Sequence, residues 1–259
     1  INMSALEQAI LYLKEYNQIK DLVHIFDFNH FRALMNVTMP KNLDEKYYEW
    51  EKEILESEFA KKTLTYVDEI KPVVDKLCLW QGDITSLVID GIVNACNPQL
   101  LGCFQPLHSC IDNAIHSYAG LGLRRDLMEV MQKQGHKEPV GSCKVTSGYH
   151  LKAKYILHTV GPMIVGFPDE IDKAALKSCY LACLEKAEQH HISTLAFCSI
   201  STGVYGYPIL EACKVAIEAV YSYFLKHSDS IIQKVVFNVF KDYDYQIYHK
   251  YLLQLKDVL

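Results

Sequence analysis

Two rhythms of apolar positions divide this chain. Near its start the rhythm is helical. Leu6, Ile10 and Leu13 fall on one face, and Ser4-Ala-Leu-Glu7 ahead of them is a capping box, in which hydroxyl and carboxylate each satisfy an orphan amide of the first turn. Phe31, Leu34 and Met35 mark a second short helix, and Pro40 breaks the chain after it. Residues 43–63, rich in Glu, Lys, Tyr and Trp, read as a third helix with few caps. Nothing before residue 76 has the pattern of a strand. Residues 1–75 are therefore expected to form an N-terminal helical extension packed on a core domain of residues 76–259.

From Lys76 onward, short β-branched or apolar runs alternate with helical patterns. Expected strands are 77–80, 88–94, 143–147, 155–159, 195–199 and 234–240. Expected helices are 110–119, 122–134, 171–190, 208–226 and 242–257. Such alternation predicts an α/β sheet flanked by helices. Gly82, Gly102, Gly203 and Gly206 gather where strands give way to helices. Ligands of such sheets bind beyond the carboxyl ends of the strands.

Composition narrows the function classes. Half of the 259 residues are apolar and 22% are charged, which excludes a disordered or collagen-like chain. A net charge of −5 offers no basic excess for nucleic acid, which is not expected as a partner. Arg32, Arg124 and Arg125 are the only arginines among 26 basic residues, so a bound phosphate would rest mostly on backbone N–H groups. No apolar run approaches the roughly 18 residues that span a bilayer, so no membrane partner is expected. Residues 1–16 read as an ordinary helix, not a signal peptide. Nine cysteines, an odd number, point to a reducing, cytoplasmic compartment rather than a disulfide framework. A monomer is expected.

The loops carry the candidate chemistry. Trp80-Gln-Gly-Asp-Ile-Thr85 follows the first expected strand; Asp83 there is either a turn cap or an acceptor at a site. Val93-Asn-Ala-Cys-Asn-Pro98 ends another strand, and Pro98 pushes Asn97 out of helical geometry. Its amide either pins the loop or points into a cleft. Ser199-Ile-Ser-Thr-Gly-Val-Tyr-Gly206 has the small residues that let backbone N–H groups face an anion. It lacks the Lys of a Walker loop and the spacing of a dinucleotide fingerprint, so a plain turn stays open.

The segment Gly102-Cys-Phe-Gln-Pro-Leu-His-Ser-Cys110 places Cys103, His108 and Cys110 in a C-x4-H-x-C pattern. On one helix His108 and Cys110 would point about 200° apart, so they converge only in a loop, which Gly102 and Pro106 favour. Three ligands with no evident fourth describe a zinc site with an open position. Two core thiols and a surface histidine are the alternative. Cys179 and Cys183 share the helical period of Leu176, Tyr180 and Leu184 and read as core. Cys78, Cys96, Cys143, Cys198 and Cys213 read as small buried hydrophobes, and His158 as a satisfied core histidine. Tyr- and Lys-rich stretches near 47–52 and 241–250 read as solvated helix faces.

The order of these motifs is more specific than any one of them. Gly-Asp-Ile-Thr, Val-Asn-Ala-Cys-Asn-Pro, Ile-Asp-Asn-Ala-Ile-His, Thr-Ser-Gly-Tyr-His-Leu, Ile-Leu-His-Thr-Val-Gly-Pro and Ser-Ile-Ser-Thr-Gly-Val-Tyr-Gly-Tyr-Pro succeed one another. That succession resembles a macrodomain over about residues 76–257. Most macrodomains carry a glycine run before the Asp of the Ile-Asp stretch. Here Cys103 to Cys110 stands in its place, which resembles the zinc-containing branch of the family. Phe31-Arg-Ala-Leu-Met-Asn-Val also resembles that branch's helical extension.

The resemblance implies a three-layer mixed sheet that binds ADP-ribose. It also implies a zinc-dependent hydrolase that removes mono-ADP-ribose from modified proteins. A non-catalytic ADP-ribose reader and a phosphatase on ADP-ribose 1″-phosphate are the rival readings. Carried onto this chain, it makes Asp83 an acceptor for the adenine amino group, with Ile84 beside it and Phe240 packed on the base. It sets Ser201, Thr202, Gly203 and Val204 around the diphosphate, Tyr205 over the distal ribose and Asn97 facing that sugar. Asp112 and Asn97 then stand nearest the chemistry, and Cys103, His108 and Cys110 hold Zn2+ beside the sugar.

Overall fold

The structure, a computed structural model, describes residues 2–259. They form two compact units. One joins residues 2–63, Gln99–His136 and Tyr149–Leu151; the other joins Leu64–Pro98, Lys137–Gly148 and Lys152–Leu259.

The first unit is helical: α1 (Ala5–Tyr16), α2 (Phe28–Val37), α3 (Glu45–Lys61), α4 (Ile111–Ala119) and α5 (Leu121–Gln134). The capping box at Ser4 and Glu7 opens α1 as expected. Ala9, Ile10 and Leu13 of α1 pack with Phe31, Leu34 and Met35 of α2, Tyr47 and Ile54 of α3, and Leu121 of α5. Each buried Ile, Leu, Phe or Met side chain there contributes about 1.5–3 kcal/mol. The stretch near 47–52 is not a solvated face. Tyr47 and Glu51, one turn apart, are both buried, and the Tyr47 hydroxyl donates to the Glu51 carboxylate at 2.7 Å.

The second unit is a seven-stranded mixed sheet with a short two-stranded ladder. In chain order its strands are β1 (Thr65–Tyr66), β2 (Pro72–Val74), β3 (Leu77–Gln81), β4 (Leu87–Val88), β5 (Gly91–Ala95), β6 (Cys143–Ser147), β7 (Tyr155–Thr159), β8 (Thr194–Phe197) and β9 (Lys234–Val239). The large sheet runs β2-β3-β9-β8-β5-β7-β6. Its five central strands are parallel, and β2 and β6 close the two edges antiparallel. Helices α6 (Glu170–Gln189), α7 (Ile209–Lys226) and α8 (Asp242–Asp257) pack in a row on it. The α/β class and the mixed sheet flanked by helices agree with the sequence.

Two local expectations are corrected. Residues 64–75 are not helical extension: β1 and β2 lie there, and β2 pairs with β3 although it begins at Pro72. Proline is tolerated because the strand is an edge, where one side needs no donor. The expected strand 88–94 is two pieces, β4 and β5, separated by Ile89 and Asp90. Asp90 turns out of the ladder to accept from the Ser193 and Thr194 amides and the Ser193 hydroxyl. The seven cysteines read as core are buried, and so is His158, whose ring meets Thr146 and Asn94. Burial pulls the His158 pKa to about 3, so it sits neutral in the sheet. No helix among the described residues is long and apolar enough to cross a membrane.

Candidate functional site

Parallel strands bring loops that are distant in sequence to one edge. In the second unit, β3, β5, β7, β8 and β9 all end there, and the loops after them carry the residues the motifs singled out. After β3, the exposed Asp83 carboxylate accepts from the Thr85 amide at 2.9 Å and the Thr85 hydroxyl at 2.7 Å. It thereby caps the short 3-10 turn Ile84–Ser86, in which Ile84 is buried. After β9, Phe240 leaves its ring 76% exposed, and its carbonyl accepts from Gln81. The β3 and β9 ends are tied by the Gly82 amide to the Val239 carbonyl and by the Asn238 amide to the Gly82 carbonyl. Asn97 follows β5 half-buried, one residue past Cys96, whose amide donates to the Thr159 carbonyl.

The loop after β8 is built differently. Thr202 turns its hydroxyl back to Ser199, and the Tyr207 amide donates to the Ser201 carbonyl. Ser201 has a positive φ of 65°. Gly203 and Val204 are exposed, and around Gly203 there is open space. The Tyr205 carbonyl accepts from the Ile164 amide at 2.8 Å, which joins this loop to the one after β7. Beneath it, the buried Ser201 hydroxyl lies where a Cβ on Gly161 would come within 2.0 Å. The amides of Thr202, Gly206 and Tyr207 are bonded within the loop, and the small exposed stretch at Gly203 and Val204 is where its backbone is open to an anion.

In the first unit, Cys103, His108 and Cys110 bring one ligand atom each to within 4.8 Å of one another, all half-buried. Cys103 Sγ and His108 Nδ1 are 3.7 Å apart. A tetrahedral ion with bonds of about 2.0–2.3 Å sets such edges at roughly 3.5 Å, so the donor set fits zinc. Cys110 is also the N-cap of α4, its sulfur accepting from the Asn113 amide. Burial pushes its thiol up to about 12, so metal binding there must displace a proton. Asp112, buried in the first turn of α4, stands outside the trio, with Oδ1 3.5 Å from His116 Nε2. Gly102 takes φ +88° against the His116 ring, where any Cβ would lie 2.8 Å from it.

Comparison with known proteins reads this arrangement. The Macro domain model matches residues 93–216. A protein-ADP-ribose hydrolase of Staphylococcus aureus (strain COL) is 46% identical over 220 residues, covering 84% of this chain and 82% of the relative. One from Treponema medium is 39% identical over 223 residues, covering 85% of each. The chain belongs to the macrodomain family. A mutant macrodomain of Oceanobacillus iheyensis, solved with ADPR, superposes with a TM-score of 0.65 at 34% identity, over 73% of this chain and 98% of that one.

Within this macrodomain, Asp83, Ile84, Asn97, Ser201 to Tyr205 and Phe240 share the sheet edge of one unit. Cys103, His108, Cys110 and Asp112 share the other. Sequence reasoning missed Arg124 and Asn36, which hold the loop of Cys103, His108 and Cys110. Arg124 carried a signal: it occupies the apolar stripe of α5 between Leu121 and Leu127, where a charge has to find buried acceptors. Asn36 carried none beyond its place next to Met35.

Proposed function

We propose that this macrodomain hydrolyses the bond between mono-ADP-ribose and a modified protein. The observation that carries the reading is the edge where Asp83, Asn97, the 199–207 loop and Phe240 are gathered by the ends of parallel strands. The hydrolase names of the relatives and the ADPR in the related structure support it. In this reading Asp83 accepts from the adenine amino group and the exposed Phe240 ring covers the base. Backbone amides from Ser201 to Tyr205 hold the diphosphate. Tyr205 and Asn97 orient the distal ribose.

Cys103, His108 and Cys110 are the residues we assign to zinc. Bound there, zinc supplies a Lewis-acid centre with an open position. Asp112, buried beside His116, takes up a proton at its carboxylate or steadies an oxocarbenium-like state at the sugar. A reducing compartment, the cytoplasm, suits the two thiol ligands.

The test is release of ADP-ribose from a mono-ADP-ribosylated protein, with and without a chelator. Release by the native protein and its loss on chelation are expected. Tight ADP-ribose binding with no release from any modified protein would make the chain a reader instead. Release of phosphate from ADP-ribose 1″-phosphate, with modified protein untouched, would make it a phosphatase.

A further inference from the structure

The loop that carries the three metal ligands is held by side chains that touch no ligand atom. Arg124 of α5, 2% exposed, spreads its guanidinium over five carbonyls. Nε donates to Leu101 at 2.7 Å and Nη2 reaches Cys103 at 3.5 Å, both in the loop. Nη1 donates to Met35, Asn36 and Thr38 at 3.1, 3.0 and 2.7 Å, the carbonyl end of α2. The Phe104 ring lies under the guanidinium at 3.9 Å. Asn36 of α2, equally buried, accepts at Oδ1 from the Leu107 amide at 2.9 Å and from Asn113 Nδ2 at 3.0 Å. Asn113 Nδ2 also donates to the Gln105 carbonyl. Leu107, held by Asn36, has a positive φ of 56°, a conformation a leucine does not keep unaided.

The loop is thus anchored at residues 101, 103, 104, 105 and 107 before His108 and Cys110 are reached. In small zinc modules the ion itself folds the loop. Here buried protein donors and acceptors do that, from Arg124 of α5, Asn113 of α4 and, within the first 40 residues, Asn36 of α2.

We infer that Asn36 and Arg124 are positioning residues of the metal site, which bring Cys103, His108 and Cys110 together in advance of the ion. The inference rests on the metal reading above and is tested apart from turnover. Outer groups that orient metal ligands typically change affinity by about 10–100-fold when removed. Arg124→Lys keeps a charge and loses the fan of donors. Asn36→Ala loses the acceptor, whereas Asn36→Asp keeps it; the Ser117 hydroxyl, which accepts from Asn36 Nδ2 at 3.0 Å and donates to Asn113 Oδ1 at 3.2 Å, can turn to donate to the new carboxylate while Asn113 Oδ1 keeps its bond from Arg32.

The experiment loads the full chain with Co2+, records its ligand-field bands, and measures Zn2+ affinity by competition with a chromophoric chelator. Folding is checked by thermal melting. Arg124→Lys and Asn36→Ala should bind Zn2+ about 10–100-fold more weakly, with shifted Co2+ bands, and Asn36→Asp should restore both. If Arg124→Lys does not fold, the two Asn36 variants decide. Native affinity and spectrum in folded Asn36→Ala would overturn the inference and leave the metal reading standing. A native chain that binds neither ion would overturn both.

Discussion

At Gly161 there is no room for one more carbon. A Cβ there would come within 2.0 Å of the Ser201 hydroxyl and 2.9 Å of Ile200, so Gly161→Ala must push the loop after β8 outward. If that loop holds the diphosphate by backbone amides, misaligning them weakens several hydrogen bonds at once. ADP-ribose affinity should fall at least about tenfold, since each net hydrogen bond is worth about 1 kcal/mol, while the melting temperature drops modestly. Calorimetry with ADP-ribose reads this directly, and unchanged affinity would remove the loop from the site. Asp83 sets a second test. Asp83→Ala loses a charged acceptor and should cost about 1.5–3 kcal/mol of binding, as for hydrogen bonds to charged groups. Its bonds from Thr85 are lost too, so Thr85→Ala, which removes the hydroxyl donor but keeps the amide cap and the carboxylate, is the control for the hydroxyl contact. Single residues were the least legible scale in the sequence. The Asp83 and Ser201 signals came from motif order, whereas the close approach of Gly161 to Ser201 joins residues 40 apart and no local pattern encodes it.

At the scale of elements, α3 meets the start of α5 through a buried carboxylate. Glu51 accepts from the Leu121 amide at 2.9 Å and from the Tyr47 hydroxyl, and burial lifts its pKa from 4.5 to about 7. The folded state therefore holds its proton over a range where the unfolded chain has lost it. Its contribution to stability is fully present below about 4.5 and is lost as pH rises to about 7. A shift of that size corresponds to about 3 kcal/mol. Glu51→Gln keeps both acceptor contacts and cannot ionise, so its advantage over the native chain should grow between pH 5 and pH 7.5. Urea denaturation across that range checks the slope, and a constant difference would show that Glu51 is already ionised at low pH. Glu51 also marks where the helix pattern misled. Its neighbours Glu49 and Lys52 are polar, and the hints that this face is covered lie one turn away, in Tyr47 before it and Ile54 and Leu55 after it. Strands read better. β6 and β7 fall on their expected bounds because their apolar runs end in turn residues on both sides. β1 and β2 were missed because two or three residues, one of them Pro72, carry no period.

At the scale of the whole molecule, two chemistries are assigned to different units. The residues proposed for adenine, ribose and diphosphate belong to the unit that contains the sheet, and the residues proposed for the metal belong to the helical unit. The family and the α/β class were legible because motif order survives where single motifs do not. The interleaving of the units was not legible, because Gln99–His136 joins the N-terminal helices through Arg124 and Asn36 rather than through any sequence period. This division of assigned roles makes a prediction about metal removal. Dialysis against a chelator takes away the group assigned to the reacting sugar but none of the residues assigned to the base or the diphosphate. Most contacts assigned to ADP-ribose, those to adenine and diphosphate, stay when the metal leaves, and contributions from groups that share no partners are close to additive. ADP-ribose binding should therefore change by less than about threefold on chelation. Hydrolysis of modified protein should fall by more than about 100-fold, at least the effect of a well-placed acid or base. Readded Zn2+ should restore it in the native chain and not in Cys103→Ser. The chain's net charge of −5 and its three arginines add a corollary. A diphosphate held by amides has no cluster of cations to screen, so binding should vary little between low and high salt. Two outcomes would break the assignment: hydrolysis that persists in a folded, metal-free protein, or ADP-ribose binding that disappears with the metal. The first would leave Asp112 as the activating group, and the second would place the ligand on the metal itself.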